Sequence, residues 1–306
     1  MKTKLLSLFV ALIATNALWA SNTITYAATI KLTRSSLNVG ETTFGPAITS
    51  HTFSNGTGTI TCSGEVTTIG EYAFSDCSGL TSVTIPNSIT TIGNSTFYNC
   101  SGLTSVTIPN SVTTIGKYAF DYCSGLTKTN YTGTIADWCK IKFGGSSANP
   151  MSCSHNFYIN DVEVKDLVIP EGVDTIGDYA FYNCSGLTSV TIPNSVTTIG
   201  NYAFYCCNGV RTITCYAVNP PTATGTTFEG ISQYTKTYVL ASSLEDYQFA
   251  IGWMDLNLLP IGEPTDLLSL PFEEKEGIGS AKFIHNGQLF IRRNGVLFNA
   301  HGARVK

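Results

Sequence analysis

The sequence predicts an α/β solenoid, a stack of coils with short parallel strands on one side, short helical turns on the other, and a small β tail. Three observations carry that reading. Ile-Gly pairs recur 23 residues apart at Ile69-Gly70, Ile92-Gly93 and Ile115-Gly116, and again at Ile176-Gly177 and Ile199-Gly200. Other columns keep the same clock: Phe74, Phe97, Phe120, Phe181 and Phe204; Cys77, Cys100, Cys123, Cys184 and Cys207; Leu80, Leu103, Leu126, Leu187 and Val210. A fixed period of this length marks units that bury their apolar side only against one another. Composition is the third: 43% of the 306 residues are hydrophobic and 12% charged, about half the usual charge of a soluble chain. Neutral hydroxyls and amides must therefore carry the polar surface.

Taken in order, residues 1–20 read as an export signal. Lys2 and Lys4 precede the apolar run Leu5 to Ile13, and Ala17 to Ala20 offer a cleavage region. That run is too short to span a membrane, and no later segment is long enough. Residues 21–57 form an N-terminal cap segment, and the array occupies 58–261. Within one unit, Leu80, Val83 and Ile85 alternate in part with Ser82 and Thr84, the period-two pattern of a strand. Pro86 has no amide hydrogen to continue a ladder, and Asn87-Ser88 favour a turn. Ile89, Ile92, Thr96 and Phe97 then fall at spacings of three and four, which predicts a helical turn. With strands about 4.8 Å apart, about seven coils give a sheet on the order of 30 Å long.

The register begins at Ile60, Cys62, Val66 and Ile69, and Ile213 with Cys215 repeat the same substitution at the far end. Between Ile115 and Ile176 lie 61 residues, one repeat plus 38 more, and the register returns at Leu167, Ile169, Pro170 and Val173. The insertion, about 132–164, is thus expected to bulge from a coil without ending the array. Inside it, Phe157 to Ile159 and Val162 to Val164 flank Asn160-Asp161, a hairpin signal. Residues 262–306 form a linker and a β-hairpin tail, with turns expected at Asn286-Gly287 and Asn294-Gly295.

These units resemble the BspA-like, treponemal-type leucine-rich-repeat family of bacterial surface proteins over roughly 58–261. The likeness includes Ile135-Ala136-Asp137-Trp138 and the closing segment through Tyr238, Tyr247 and Trp253 to Ile261. It implies a right-handed leucine-rich-repeat coil, strands on the concave face and turns on the convex side, exposed outside the cell or secreted. It also implies adhesion to a host or neighbouring-cell protein, without assigning binding residues. The end of the chain, Phe298-Asn299-Ala300-His301-Gly302 to Val305-Lys306, is similar to sorting signals of the type nine secretion system. An accessory hairpin is the alternative reading of that tail.

Ten cysteines in an exported chain suggest disulfides. The column argues instead for buried thiols, because stacked side chains point the same way and do not meet the roughly 90° disulfide torsion. Each thiol is expected to give a weak hydrogen bond to the neighbouring coil. Cys139 and Cys153 in the insertion remain able to pair, and Cys206 is expected to turn outward. His51, His155, His285 and His301 are scattered, with no metal-ligand spacing and no nucleophile-base constellation. Catalysis, a cofactor and a metal are not expected. Net charge is −4, which gives no electrostatic reason for nucleic acid or an anionic membrane as partner.

The expected binding surface is the concave face, in a monomer. Its outward positions include Ser82, Thr84, Ser105, Thr107, Lys128, Asn130, Asp166, Ser189 and Thr191. Ser and Thr there also suit a hydrated β surface, so Lys128, Asn130 and Asp166, which break the monotony beside the insertion, mark the place for a specific contact. Alternatives stand beside a protein ligand: a carbohydrate stacked on Trp138 and exposed tyrosines, or a structural spacer. Tyr98, Tyr182 and Tyr205 form a further stripe, open to binding or to packing between coils.

Overall fold

The computed structural model describes residues 22–29 and 44–261, and the backbone of tail strands Ser280–His285, Gln288–Arg293 and Val296–Asn299. The export signal and the linker 262–279 lie outside the described residues. So do the turns Asn286-Gly287 and Asn294-Gly295, although the three tail strands pair in succession as an antiparallel sheet.

One coil shows why the columns repeat. Leu80–Thr84 is a strand, Pro86 ends it, and Thr91–Ile92 is a second, two-residue strand on the return side. Leu80, Ile89, Ile92, Phe97 and Cys100 are all wholly buried. Both strands pair in parallel, in register, with the next coil: Thr84 with Thr107, and Ile92 with Ile115. Hydroxyls reinforce this stacking. Ser88, Ser111 and Ser195 each donate to a carbonyl of the preceding coil, Val66, Ile89 and Val173, at 2.6, 2.7 and 2.9 Å. Thr90, Thr104, Thr113 and Thr127 do the same to Thr67, Thr81, Thr90 and Thr104. The Ser/Thr richness is thus partly a second hydrogen-bonded ladder, which needs no charge.

The turn read from the spacing of three and four takes a tighter form than a helix. Two residues per coil adopt left-handed backbone, four apart: Tyr72 and Asp76, Ser95 and Asn99, Tyr118 and Tyr122, Tyr179 and Asn183, Tyr202 and Cys206. The strain of a non-glycine residue there is offset by backbone bonds to the next coil, such as Tyr72 N–H to the Asn94 carbonyl at 3.0 Å and Asp76 N–H to the Tyr98 carbonyl at 2.8 Å. Phenylalanine rings stack along this turn, with centroids of Phe74 and Phe97 5.4 Å apart and those of Phe97 and Phe120 5.2 Å.

The cysteine column is a column of free thiols, as is every cysteine of the chain, Cys139 and Cys153 included. Cys100, Cys123 and Cys207 donate to the carbonyls of Phe74, Phe97 and Phe181 at 2.9, 3.1 and 3.1 Å. Burial pushes the Cys77, Cys123 and Cys184 thiols up to about 12, so they stay neutral and unreactive.

Two features depart from a plain repeat. The N-terminal strand Thr23–Ala28 does not merely cover the end of the array. It lies antiparallel between Thr57–Cys62 and Leu80–Thr84, with Thr25 opposite Thr59 on one side and Thr84 on the other. Ile48–Ser54 then covers the outer edge through the turn at Asn55-Gly56.

The insertion, expected as a bulge, is a coil in its own right. Lys142–Phe143 joins the return ladder beside Thr114–Ile115, and Phe157–Ile159 joins the strand face beside Lys128–Tyr131. Cys153, on the short helix Met151–Ser154, continues the cysteine column by donating to the Phe120 carbonyl at 3.3 Å. The hairpin at Asn160-Asp161 forms as its sequence indicates, both residues at positive φ. Its second strand, Val162–Glu163, does not pair with Asp166–Val168, so the strand face divides into an eight-stranded and a five-stranded sheet.

Side chains bridge that break. Trp138 Nε1 and Asn149 Nδ2 both donate to the Ala180 carbonyl, at 2.7 and 3.0 Å, where a regular coil would offer a backbone amide. Trp138 and Phe157, 4.7 Å apart between centroids, fill the gap in the phenylalanine stack ahead of Phe181. Across the solenoid the described residues contain no helix long and apolar enough to cross a membrane.

Candidate binding surface

The strand face presents two rows of outward positions on each side of the break. Before it, Thr84, Thr107, Asn130 and Tyr158 lie in one register row, and Ser105 with Lys128 in the other. After it, Asp166, Ser189, Thr212 and Lys236 form one row and Val168, Thr191, Thr214 and Tyr238 the second. Thr84 and Thr107 are exposed, and Ser82, Ser105, Ser189 and Thr191 are half-buried. Lys236, Tyr238, Asn257 and Leu259 extend these rows. They escape sequence reading because their coils lack the Thr-Ile-Pro-Asn-Ser string that recurs at 84–88, 107–111 and 191–195, and only their pairing with Thr212 and Thr214 reveals their face.

Two of the expected site residues are corrected. Trp138 is wholly buried, held by its bond to Ala180 and by Tyr131, Phe143 and Phe157, so it offers no ring to a sugar. Asn130 is 3% exposed. Its Oδ1 accepts from the Asp161 amide at 2.9 Å, so it anchors the hairpin turn and does not face a ligand.

Lys128 remains at the surface but is engaged. Its Nζ lies 2.7 Å from Asp161 Oδ1 and 4.8 Å from the Tyr158 ring centroid, an ion pair and a cation–π contact that fix the hairpin against its neighbour. Asp166 is exposed on the other side of the break. The Ser189 and Thr188 hydroxyls donate to its Oδ1 at 2.6 and 2.9 Å and hold its carboxyl below the usual carboxylate range. Lys128, Asn130 and Asp161 thus gather at the hairpin, whereas Asp166 belongs to the edge of the next sheet.

Between those two edges runs an open groove of about 680 Å³. Ile159, Val162, Val164 and Val168 supply its apolar wall, and Glu163, Lys165 and Asp166 its charged rim. Val162 and Val168 are 69% and 52% exposed. The tyrosines of the turn side behave differently. Tyr179 with Tyr202 and Tyr182 with Tyr205 stack face to face at 5.3 and 5.1 Å, so each ring covers much of a neighbour's face.

The repeat and its register find their match among known proteins. A BspA-type leucine-rich-repeat region, in six copies, matches residues 26–149 and 152–251. The chain belongs to the BspA-type leucine-rich-repeat family. No curated protein matches it. Among solved structures, a leucine-rich-repeat protein of T. pallidum is 20% identical over 65% of this chain, TM-score 0.26, and this chain spans just 65% of that one. A leucine-rich cell surface protein of Faecalibacterium prausnitzii is 18% identical over 74% of this chain and 90% of its own, TM-score 0.24. The pneumococcal vaccine antigen PcpA is 17% identical over 65% of this chain and 40% of its own, TM-score 0.28. This family is one of repeat proteins, and the geometry above is that of a scaffold of stacked coils.

Proposed function

We propose that this BspA-type chain is a secreted or cell-surface, non-enzymatic module that binds a host or neighbouring-cell protein as a monomer. Contact is made through the strand face around the hairpin. The observation that carries this is the break in the repeat: outward rows of Ser and Thr give way to exposed Val162, Val168, Asp161 and Asp166. Protein interfaces combine an apolar centre with a polar, charged rim, and such a mixture occurs here beside the hairpin. The export reading of residues 1–20 and the surface naming of the F. prausnitzii relative support the location. Burial of Trp138 removes the main support for a carbohydrate ligand.

The test is surface binding of the purified chain to a panel of extracellular-matrix proteins, run beside a glycan array. Asp161→Ala and Asp166→Ala should each weaken the captured protein about tenfold, the size of one charged contact. Unchanged binding in both variants, or retention on glycans alone, overturns the proposal. Comparing secretion of the full chain with one lacking residues 263–306 separates a sorting tail from an accessory hairpin.

A further inference from the structure

The seam between the two sheets has a property that the rest of the face lacks. On the rest of the strand face, between the terminal strands Ile48–Ser54 and Asn257–Pro260, a strand finds a partner on each side. Among the described residues, Asp166–Val168 pairs only with Ser189–Ile192, and Val162–Glu163 pairs only with Phe157–Ile159. Both unpaired edges border the groove.

The direction of the free groups follows from the bonds that are made. Ile169 N–H donates to the Thr191 carbonyl at 2.9 Å, and the Lys165 carbonyl accepts from Thr188 N–H at 2.7 Å. Backbone groups in a parallel strand alternate sides. Lys165, Leu167 and Ile169 therefore face the sheet, while Asp166 and Val168 direct their amides and carbonyls into the groove. On the hairpin, Val164 N–H donates to the Phe157 carbonyl at 2.9 Å, which by the same alternation turns the Glu163 backbone toward the groove.

Exposed strand edges invite pairing with other chains, and proteins blunt them with inward charge, proline or a covering loop. The charges at this edge are already engaged within the chain. The Asp166 carboxylate is drawn sideways to the Ser189 and Thr188 hydroxyls, and Lys165 is 3.5 Å from Glu163. Val168 occupies the register position that Thr191 and Thr214 hold in the next two coils, so an apolar side chain stands where those coils place a hydroxyl. Asn149 and Trp138 join this coil to Ala180 of the next one, so the two coils are tied together without their strand edges pairing.

We infer that this seam is a strand-addition site, which captures an extended segment of a partner protein along the edge of Asp166–Val168 with apolar side chains set against Ile159, Val162 and Val164. The inference rests on the protein-binding reading and names the form of its partner. Alternating main-chain donors and acceptors select an extended polypeptide over a small apolar molecule, because only a backbone matches them at strand spacing. The apolar wall selects every second side chain of that segment, the period at which a strand presents one face.

The probe is a random-peptide library displayed on phage and panned on the full chain. The selected peptide is then synthesised unmodified and with N-methyl groups on alternate amides, in both registers. N-methylation in one register should raise its Kd by about tenfold or more while the other register leaves it unchanged, since each blocked amide removes a hydrogen bond. Val168→Pro deletes an edge amide that makes no bond to the neighbouring strand, a position where proline is tolerated. It should weaken the peptide about tenfold, and Val168→Thr, which keeps the amide and exchanges only a methyl group for a hydroxyl, should weaken it much less. If Val168→Pro melts early, hydrogen exchange on the unaltered chain decides: the Asp166 and Val168 amides should slow when the peptide is bound.

No selected peptide, a peptide indifferent to N-methylation, or unchanged exchange at Asp166 and Val168 overturns the inference. So does concentration-dependent dimerisation abolished by Val168→Pro, which would make a second copy the occupant. If matrix-protein binding is still lost in Asp161→Ala and Asp166→Ala while these peptide results fail, the strand-addition inference falls alone. If neither those variants nor the matrix panel shows binding, the protein-binding reading falls independently of the peptide.

Discussion

Replacing Trp138 tests how the irregular coil is joined to the next one. Burying a tryptophan removes on the order of 200 Å² from water, about 5 kcal/mol at 25 cal/mol per Å², and measured Trp→Ala changes in cores cost about 3–5 kcal/mol. The ring is wholly buried among Tyr131, Phe143 and Phe157, so Trp138→Ala belongs in that range. Trp138→Phe keeps part of the packing and loses the indole donor. Ala180 retains Asn149 Nδ2 at 3.0 Å, so its carbonyl is not orphaned. That bond is worth about 1 kcal/mol, and the lost volume brings the change to about 2 kcal/mol. Adding Asn149→Ala strands the carbonyl, and the double variant should exceed the sum of the singles by about 1 kcal/mol or more. Urea unfolding followed by far-ultraviolet circular dichroism measures all four proteins at constant m-value. A loss below about 1 kcal/mol in Trp138→Ala, against that expected range, would mean the ring does not hold the seam. Strict additivity in the double variant would mean the two donors do not share one acceptor.

Other consequences are open to direct measurement. Cys207→Ala removes the thiol bond to Phe181 and leaves a small void, so it should cost about 1–2 kcal/mol by urea unfolding. In the native protein a thiol-specific reagent should label half-buried Cys153 and Cys206 first, and reaction of Cys100 or Cys123 before unfolding would contradict the column. Gly209→Ala sets a methyl group against the Ser185 carbonyl oxygen of the coil before, and should cost about 1–3 kcal/mol by the same assay. For Asp166, the folded carboxyl is held below the unfolded value of about 3.9. Its contribution is therefore complete above that value and is lost as pH falls through the lower folded one. Ser189→Ala should move the Asp166 titration upward in carbon-13 NMR, and no movement would remove the serine as its cause.

Much of the candidate site was legible only in outline. The break in the 23-residue clock pointed to the insertion, and Asn160-Asp161 to the hairpin within it. Which residues face outward there was not legible, because the alternation that works for Ser105 and Thr107 assumes a regular neighbour. Asn130 sits in an outward register row yet is covered by the Asp161 turn, a contact between residues 31 apart with no counterpart in the other coils.

By itself the sequence determined the repeat, its apolar columns, the thiol column and the turn after each proline. Each coil sees the same neighbours, so one local environment is written many times over and its period is visible in the chain. Tertiary structure decided whatever has no second copy. It placed Thr23–Ala28 inside the sheet, made the insertion a coil, buried Trp138 at the seam and left Asp166–Val168 without a partner on one side. Those outcomes depend on hydrogen-bond pairing between distant, unrepeated segments, where a donor's partner is fixed by packing and leaves no period to read.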